Sequence, residues 1–183
     1  DGPFWLVDPL DGTKEFISRN GEFTVNIALI EDGEPVLGVV VAPASGLLYY
    51  ARTGEGTWKR EGAGEPQRLQ SILSDPSEPL RIVESRSHPS PALETFLEQL
   101  TIAERVRSGS SLKFCLVADG RADVYPRLGP TMEWDVAAGD CVYRNSGHPE
   151  PHPGTLRYNK PSLKNGNFVV GLKPGTYELP DDE

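Results

Sequence analysis

Residues 5–16, WLVDPLDGTKEF, decide how the rest of the chain is read. A bulky apolar run leads into Asp8 and Asp11, with Pro9-Leu10 between them and Gly12-Thr13 behind. The apolar residues read as a short buried strand. Proline fixes φ and removes a ladder donor, so the strand is expected to stop there. Gly12 permits a tight turn, and Thr13 is a good N-cap for a helix opening at Lys14. Such a strand–turn–helix junction brings both carboxylates and the Leu10 carbonyl towards one point. An all-oxygen cluster suits a hard cation such as Mg²⁺. Two carboxylates this close do not both stay ionised without a cation or a shared proton. Aspartates are also common as turn and cap residues, and the motif alone leaves that reading open.

Working outward, residues 22–31 alternate, with Phe23, Val25, Ile27 and Leu29 on one face. Asp32-Gly33 reads as a hairpin turn. Residues 36–43, 47–52 and 56–60 continue an antiparallel meander to about residue 78. A Pro- and Ser-rich stretch at 74–79 then marks a change of texture. Strands are expected at 80–86, 103–108, 122–127 and 167–172, with helices at 91–100, 110–120 and 135–146. Alternation of strands and helices indicates an α/β layer. The expected division is 1–78, an antiparallel-sheet metal-binding part, and 79–183, an α/β part that completes the site. His148 and His152 lie in HPEPHP, where the prolines exclude a helical zinc pair; residues 147–161 read as a loop. Trp5, Trp58 and Trp134 are most simply core residues.

A second carboxylate motif is TMEWDVAAGD at 131–140. Asp135 precedes a small-residue helix, where it fits as an N-cap and where alanine and glycine allow close approach. Asp140 and Arg144, four apart, read as a surface pair of little energetic weight.

The 183 residues carry 37% hydrophobic and 25% charged residues and a formal net charge of -9. That composition fits one large or two small globular domains. The negative charge argues against nucleic acid as a partner. If the ligand is an anion, something cationic must stand between it and the protein. Cys115 and Cys141 show no metal-ligand spacing and read as buried thiols of a reducing, cytoplasmic compartment. No apolar run reaches the length of a membrane span. The first residue is Asp1 and the single methionine is Met132, so an N-terminal part is expected to be missing. Oligomeric state is not readable.

WLVDPLDGT together with WDVAAGD resembles the paired signature of the inositol monophosphatase superfamily of Mg²⁺-dependent, lithium-sensitive phosphatases. The segments DGTKEFISRNGEFTVNIALIEDGEPVLGVVVAP, SRSH and GSSLKFCLVADGRADVYPRLGPTMEWD narrow the resemblance to its 3'(2'),5'-bisphosphate nucleotidases. The resemblance implies an α/β (α+β layered) sandwich like that of inositol monophosphatase and fructose-1,6-bisphosphatase. It implies Mg²⁺ held by Asp8, the Leu10 carbonyl, Asp11 and Asp135, with Asp11 bridging two ions. Thr13 would orient the attacking water, making Asp11 and Thr13 the catalytic pair, and the Gly12 and Thr13 N–H groups would grip the phosphate. The substrate set it implies adds Leu10, Asp11, Asp135, His88, Gly109, Ser110 and Lys113, and Arg127 is a further candidate by charge. The implied activity removes the 3'-phosphate of adenosine 3',5'-bisphosphate in sulfate assimilation, with the phosphosulfate analogue (PAPS to APS) a second substrate left open. An inositol-phosphate phosphatase and a catalytically incomplete phospho-ligand-binding domain stand as alternatives. The family's further metal-ligand glutamate lies upstream of DPLDGT and has no counterpart here. Glu15 and Glu22 do not simply replace it, and Glu15 is expected to face outward. Segments preceding the motif are implied to cover the first sheet.

Overall fold

A computed structural model describes residues 2–70, 73–87, 91–147, 156–173 and 175–180. Six strands follow one another as an antiparallel meander: β1 (Phe4–Asp11), β2 (Thr24–Glu31), β3 (Glu34–Ala42), β4 (Leu47–Arg52), β5 (Gly56–Glu61) and β6 (Gln67–Leu69), with helix α1 (Thr13–Ser18) between the first two. The β2–β3 turn is Asp32-Gly33, both at positive φ, 51° and 78°. That backbone matches strand twist and favours this dipeptide. Period-two patterning then gives the sheet two unlike faces. Thr24, Asn26, Ala28 and Ile30 of β2 are buried on one side, while Val25, Ile27 and Leu29 on the other are half-buried.

The buried side receives helix α4 (Glu133–Arg144), which packs across β1 to β4. Small residues set this distance. A Cβ on Gly38 of β3 would lie 2.6 Å from the Ala138 carbonyl oxygen and 2.6 Å from Cys141 Cβ. The alanines and glycine of WDVAAGD therefore admit β3 on one side and, at Gly139, the Phe114 ring on the other. Helix α3 (Leu112–Ala118) lies beside α4 and carries Phe114. One continuous core runs from Ala28, Val40 and Tyr49 of the sheet through Phe114, Ala138 and Val142 to Phe168. It spans both sides of residue 78.

Beyond α3 stand the parallel pair β7 (Leu80–Ser85) and β8 (Ile102–Ser108), and the antiparallel pair β9 (Tyr125–Arg127) and β12 (Phe168–Val170). A further short pair is β10 (Thr131–Met132) with β11 (Lys164–Asn165). Helix α2 (Pro91–Leu97) and the segment around Tyr177 and Leu179 close a second core over Ile82, Val124 and Val169. The strands and helices expected in the second half are present, most with shorter bounds; β8 starts one residue earlier than expected, and α4 is shifted two residues towards the N-terminus at its expected length. His88, His148 and His152 lie outside the described residues.

Two expectations are corrected. Trp5 is 57% exposed, not core, and Trp58 and Trp134 are half-buried and belong to neither core cluster. Trp5 projects from edge strand β1 on the face opposite α4, beside Val7, and no described layer covers that face. Asp140 and Arg144 are not a surface pair. Asp140 is fully buried and accepts from Tyr158 Oη (2.7 Å) and Arg144 Nε (2.9 Å). Arg144 also bonds Glu34 of β3 and the Leu156 carbonyl, so this charge cluster ties α4 to the sheet and to the 156–158 segment.

Candidate active site: a carboxylate cluster at a strand bulge

In a regular strand, residues three apart point to opposite faces. Asp8 pairs with Asn26 and Asp11 with Thr24, so three steps on β1 oppose two on β2. This is a bulge, placed where Pro9 cannot donate to the ladder. The extra residue restores parity, and Asp8 and Asp11 emerge on the same, α4-facing side. Asp135, in the first turn of α4, completes the group: one carboxylate oxygen from each of the three lies within 4.8 Å of the others.

Each carboxylate is held differently. Asp8 Oδ1 accepts the Leu10 N–H at 3.0 Å. Asp11 Oδ2 receives the Ser111 N–H (2.8 Å), Asn26 Nδ2 (3.2 Å) and Thr24 Oγ1 (3.4 Å), and none of these bonds goes to Oδ1. Asp135 Oδ2 reaches back to the Met132 N–H at 2.7 Å. Asp135 is therefore the third helical residue of α4 and caps from within the first turn. Thr13 likewise opens α1 as its first residue, and Gly12, at φ 85°, is the cap. Only glycine tolerates that conformation readily.

Burial pushes the Asp135 carboxyl up to about 6, and the charges of Asp11 and Asp8 add to the push, against the Met132 N–H. Burial also raises Asp8, with Asp11 contributing. Both groups thus hold protons more tightly folded than unfolded. A raised carboxylate gives stability at low pH that is lost as pH rises through the folded value. The cation-free chain is therefore expected to melt a few degrees higher at pH 5.5 than at pH 7 in EDTA. Added Mg²⁺ is expected to stabilise it more at pH 7 than at pH 5.5, because protons and cations compete for the same oxygens. Thermal melts at the two pH values check both signs.

Asp11 and Asp135 of the cluster line a cleft of about 300 Å³ with Gly12, Thr13, Lys14, Lys113 and Arg127. Lys113 is 5% exposed and donates to the Ser110 (2.7 Å) and Ser108 (3.4 Å) carbonyls over the Tyr125 ring. Burial brings its ammonium down to about 8, and Asp11 opposes that. Arg127 donates to the Pro130 carbonyl at 3.0 Å, while its buried Nε has no partner among the described residues. Gly109 and Ser110 face Glu22: the Gly109 N–H meets Glu22 Oε2 and Ser110 Oγ meets the Glu22 carbonyl, each at 2.8 Å.

Glu15 corrects another expectation. It is 4% exposed, turned inward, and its Oε1 accepts Ser87 Oγ at 2.6 Å. A Cβ on Gly109 would lie 2.5 Å from Glu15 Cγ, so the glycine makes room for it. Sequence reading missed Ser111, Asn26 and Thr24. The signal for the last two was a pair of polar residues on the buried face of an otherwise apolar strand.

The donor set fits a hard divalent cation. It is all oxygen, partly buried, mutually repelling, and Asp11 keeps one oxygen clear of its hydrogen-bond donors. A layered α+β fold in which Asp11 and Asp135 line a cleft beside Lys14, Lys113 and Arg127, with Asp8 converging on them, has the donor set of a metal-dependent hydrolytic protein. The comparisons give the family. The family model for inositol monophosphatases matches residues 1–175. The chain is 57% identical over 172 residues to the 3'(2'),5'-bisphosphate nucleotidase CysQ of Salmonella typhimurium, covering 92% of this chain and 68% of that protein. It is 54% identical over 144 residues to the CysQ of Escherichia coli, covering 79% of this chain and 56% of that one. A crystal structure of CysQ from Bacteroides thetaiotaomicron superposes with a TM-score of 0.78 at 42% identity, over 96% of this chain and 71% of that chain. The chain belongs to the inositol monophosphatase family.

Proposed function

We propose that this chain carries the catalytic centre of a Mg²⁺-dependent phosphomonoesterase that converts adenosine 3',5'-bisphosphate and water to AMP and phosphate. The observation that carries the reading is the convergence of Asp8 and Asp11, from the β1 bulge, with Asp135 of α4, where Asp11 and Asp135 line a cleft with Lys14, Lys113 and Arg127. Relatives at 54–57% identity named as 3'(2'),5'-bisphosphate nucleotidases support the substrate. Action on the phosphosulfate analogue, and a place in sulfate assimilation, belong to the same proposal. So does a cytoplasmic setting, which the free buried thiols of Cys115 and Cys141 favour. No described helix is long and apolar enough to cross a membrane.

Asp8, Asp11, Asp135 and the Leu10 carbonyl would hold Mg²⁺, which supplies charge stabilisation and an acidified water at neutral pH. The chain's own residues do the rest. Thr13 orients the water from the start of α1, and the free N–H groups at Gly12 and Thr13 bind phosphate oxygens. Water adds to phosphorus as the bond from phosphorus to the ribose 3'-oxygen breaks, and that oxygen leaves with a proton. Lys113 and Arg127 lie on the cleft wall and suit the second phosphate, Arg127 through its Nε, which has no partner among the described residues. His88, Gly109 and Ser110 belong to the proposed nucleotide side.

The test is phosphate release by this chain with Mg²⁺, comparing adenosine 3',5'-bisphosphate, its phosphosulfate analogue and inositol 1-phosphate. Preference for the bisphosphate, abolished by EDTA and inhibited by Li⁺, is expected. Equal or faster inositol phosphate hydrolysis would overturn the substrate. Ligand binding without release by folded, Mg²⁺-loaded chain would overturn the catalytic reading.

A further inference from the structure

Asp11 and Asp135 stand on different layers, β1 and α4, yet their oxygens converge within 4.8 Å. What fixes their relation is two side chains that neither carboxylate motif contains. Asn26, at an inward position of β2, is 1% exposed, and Ser111, at the start of α3, is 2% exposed. Asn26 Nδ2 donates to Asp11 Oδ2 (3.2 Å) and to Ser111 Oγ (2.9 Å). Ser111 Oγ lies 2.6 Å from the Asp135 carbonyl and 3.2 Å from Asp11 Oδ2. A hydroxyl has one proton. The shorter contact takes it, so Ser111 donates to Asp135 and accepts from Asn26. Asp11 Oδ2 is then held by the Ser111 N–H, the Asn26 amide and, at 3.4 Å, the Thr24 hydroxyl. Turning Asn26 over would set its oxygen against the Asp11 carboxylate, so the network itself assigns the amide.

Satisfying buried groups does not by itself explain this pair. Asn26 Oδ1 is buried with no partner among the described residues, a costly state for an acceptor. Its neighbours on the same strand face, Ala28 and Ile30, fill the core without polar atoms. An apolar pair at 26 and 111 would remove the orphan acceptor. It would also reduce the hold on Asp11 Oδ2 to the Ser111 N–H and the Thr24 hydroxyl, and it would remove the side-chain tie to the Asp135 carbonyl.

We propose that Asn26 and Ser111 are positioning residues acting as one unit. They fix the Asp11 carboxylate with Oδ1 presented to the cation cluster, and they tie Asp135 to β1 and β2. The inference rests on the cation reading of Asp8, Asp11 and Asp135, and its test separates the two. Mn²⁺ is the probe, titrated into the 183-residue chain by electron paramagnetic resonance, with melts in EDTA run alongside. Loss of an outer-shell partner of a metal ligand typically weakens affinity by about 10–100-fold. That loss is expected for Ser111→Ala and for Asn26→Ala. The double variant is expected to bind no more weakly than the weaker single. Ser111→Thr, which keeps the hydroxyl, is expected to recover affinity to within about threefold of wild type.

A purely structural role gives lower melting in EDTA with unchanged affinity per folded molecule, and that result overturns the proposal. Additive losses in the double variant overturn the claim of one unit. Should Ser111→Ala not fold, Asn26→Ala read the same way decides. Failure of the wild-type chain to bind Mn²⁺ overturns the cation reading and this inference together. Wild-type binding with unaltered variants overturns the inference alone.

Discussion

Asp11→Asn is expected to lower phosphate release by about a thousandfold or more, equivalent to roughly 4 kcal/mol of lost transition-state stabilisation. It is also expected to weaken Mn²⁺ binding by at least about 100-fold. The substitution is nearly isosteric, and the local bonds say how the amide will sit. Ser111 N, Asn26 Nδ2 and Thr24 Oγ1 all meet Asp11 Oδ2, so the amide oxygen must take that place. Its NH₂ then occupies the position of Oδ1, turning a cation ligand into a donor. The fold should not suffer. Asp11 adds to the raising of both Asp8 and Asp135, and removing its charge relieves that repulsion. Melting in EDTA is therefore expected to be unchanged or higher while binding and turnover collapse. Steady-state phosphate release, Mn²⁺ titration and thermal melts on one preparation check all three. Retained turnover in Asp11→Asn would take Asp11 out of the cluster's chemistry.

The sequence made the first sheet legible because alternation and one hairpin dipeptide determine it. Val25, Ile27 and Leu29 against Ala28 and Ile30, joined by Asp32-Gly33, leave one register that buries either face. The two aspartate motifs were legible as chemistry for a different reason: each alone also fits a turn or cap, and it is WLVDPLDGT followed by WDVAAGD that resembles the family's paired signature. How the first pair converges was not readable. Three-residue spacing places Asp8 and Asp11 on opposite faces, and only the bulge opposite Asn26 and Thr24 reverses that. A bulge depends on the partner strand, which a local pattern does not contain.

The misread residues share one cause. Asp140 and Arg144 at helical spacing describe an exposed pair equally well until Tyr158, 18 residues from Asp140, and Glu34, 110 residues from Arg144, are brought beside them. Glu15 was expected to face outward from its helix, yet α1 has only six residues and sits in the angle between Gly109 and Ser87. Trp5 was placed inward by hydrophobicity alone, which does not say whether an edge strand is covered on both faces. In each case the deciding contact is long-range, and composition carries no record of it.

Gly38→Ala is expected to cost about 3 kcal/mol, the upper end of what overpacking a core usually costs. The new methyl would stand 2.6 Å from both the Ala138 carbonyl oxygen and Cys141 Cβ. Neither can swing aside. One is helix backbone and the other a Cβ fixed to it, so the accommodation is for α4 to move off the sheet. Gly139 differs, because what a methyl there meets is the Phe114 side chain, with its nearest atom 2.7 Å away, and a side chain has rotamer freedom that backbone lacks. Displacing α4 carries Asp135 away from Asp8 and Asp11, so the loss of stability should come with a loss of Mn²⁺ affinity in the molecules that remain folded. Gly2→Ala, where nothing lies within 4 Å, is the control and should stay within about 0.5 kcal/mol of wild type. Denaturant unfolding gives the stability difference, and Mn²⁺ titration below the transition gives the affinity. A destabilised Gly38→Ala chain with unchanged Mn²⁺ binding would show that the cluster is set by β1 alone and does not depend on how closely α4 packs.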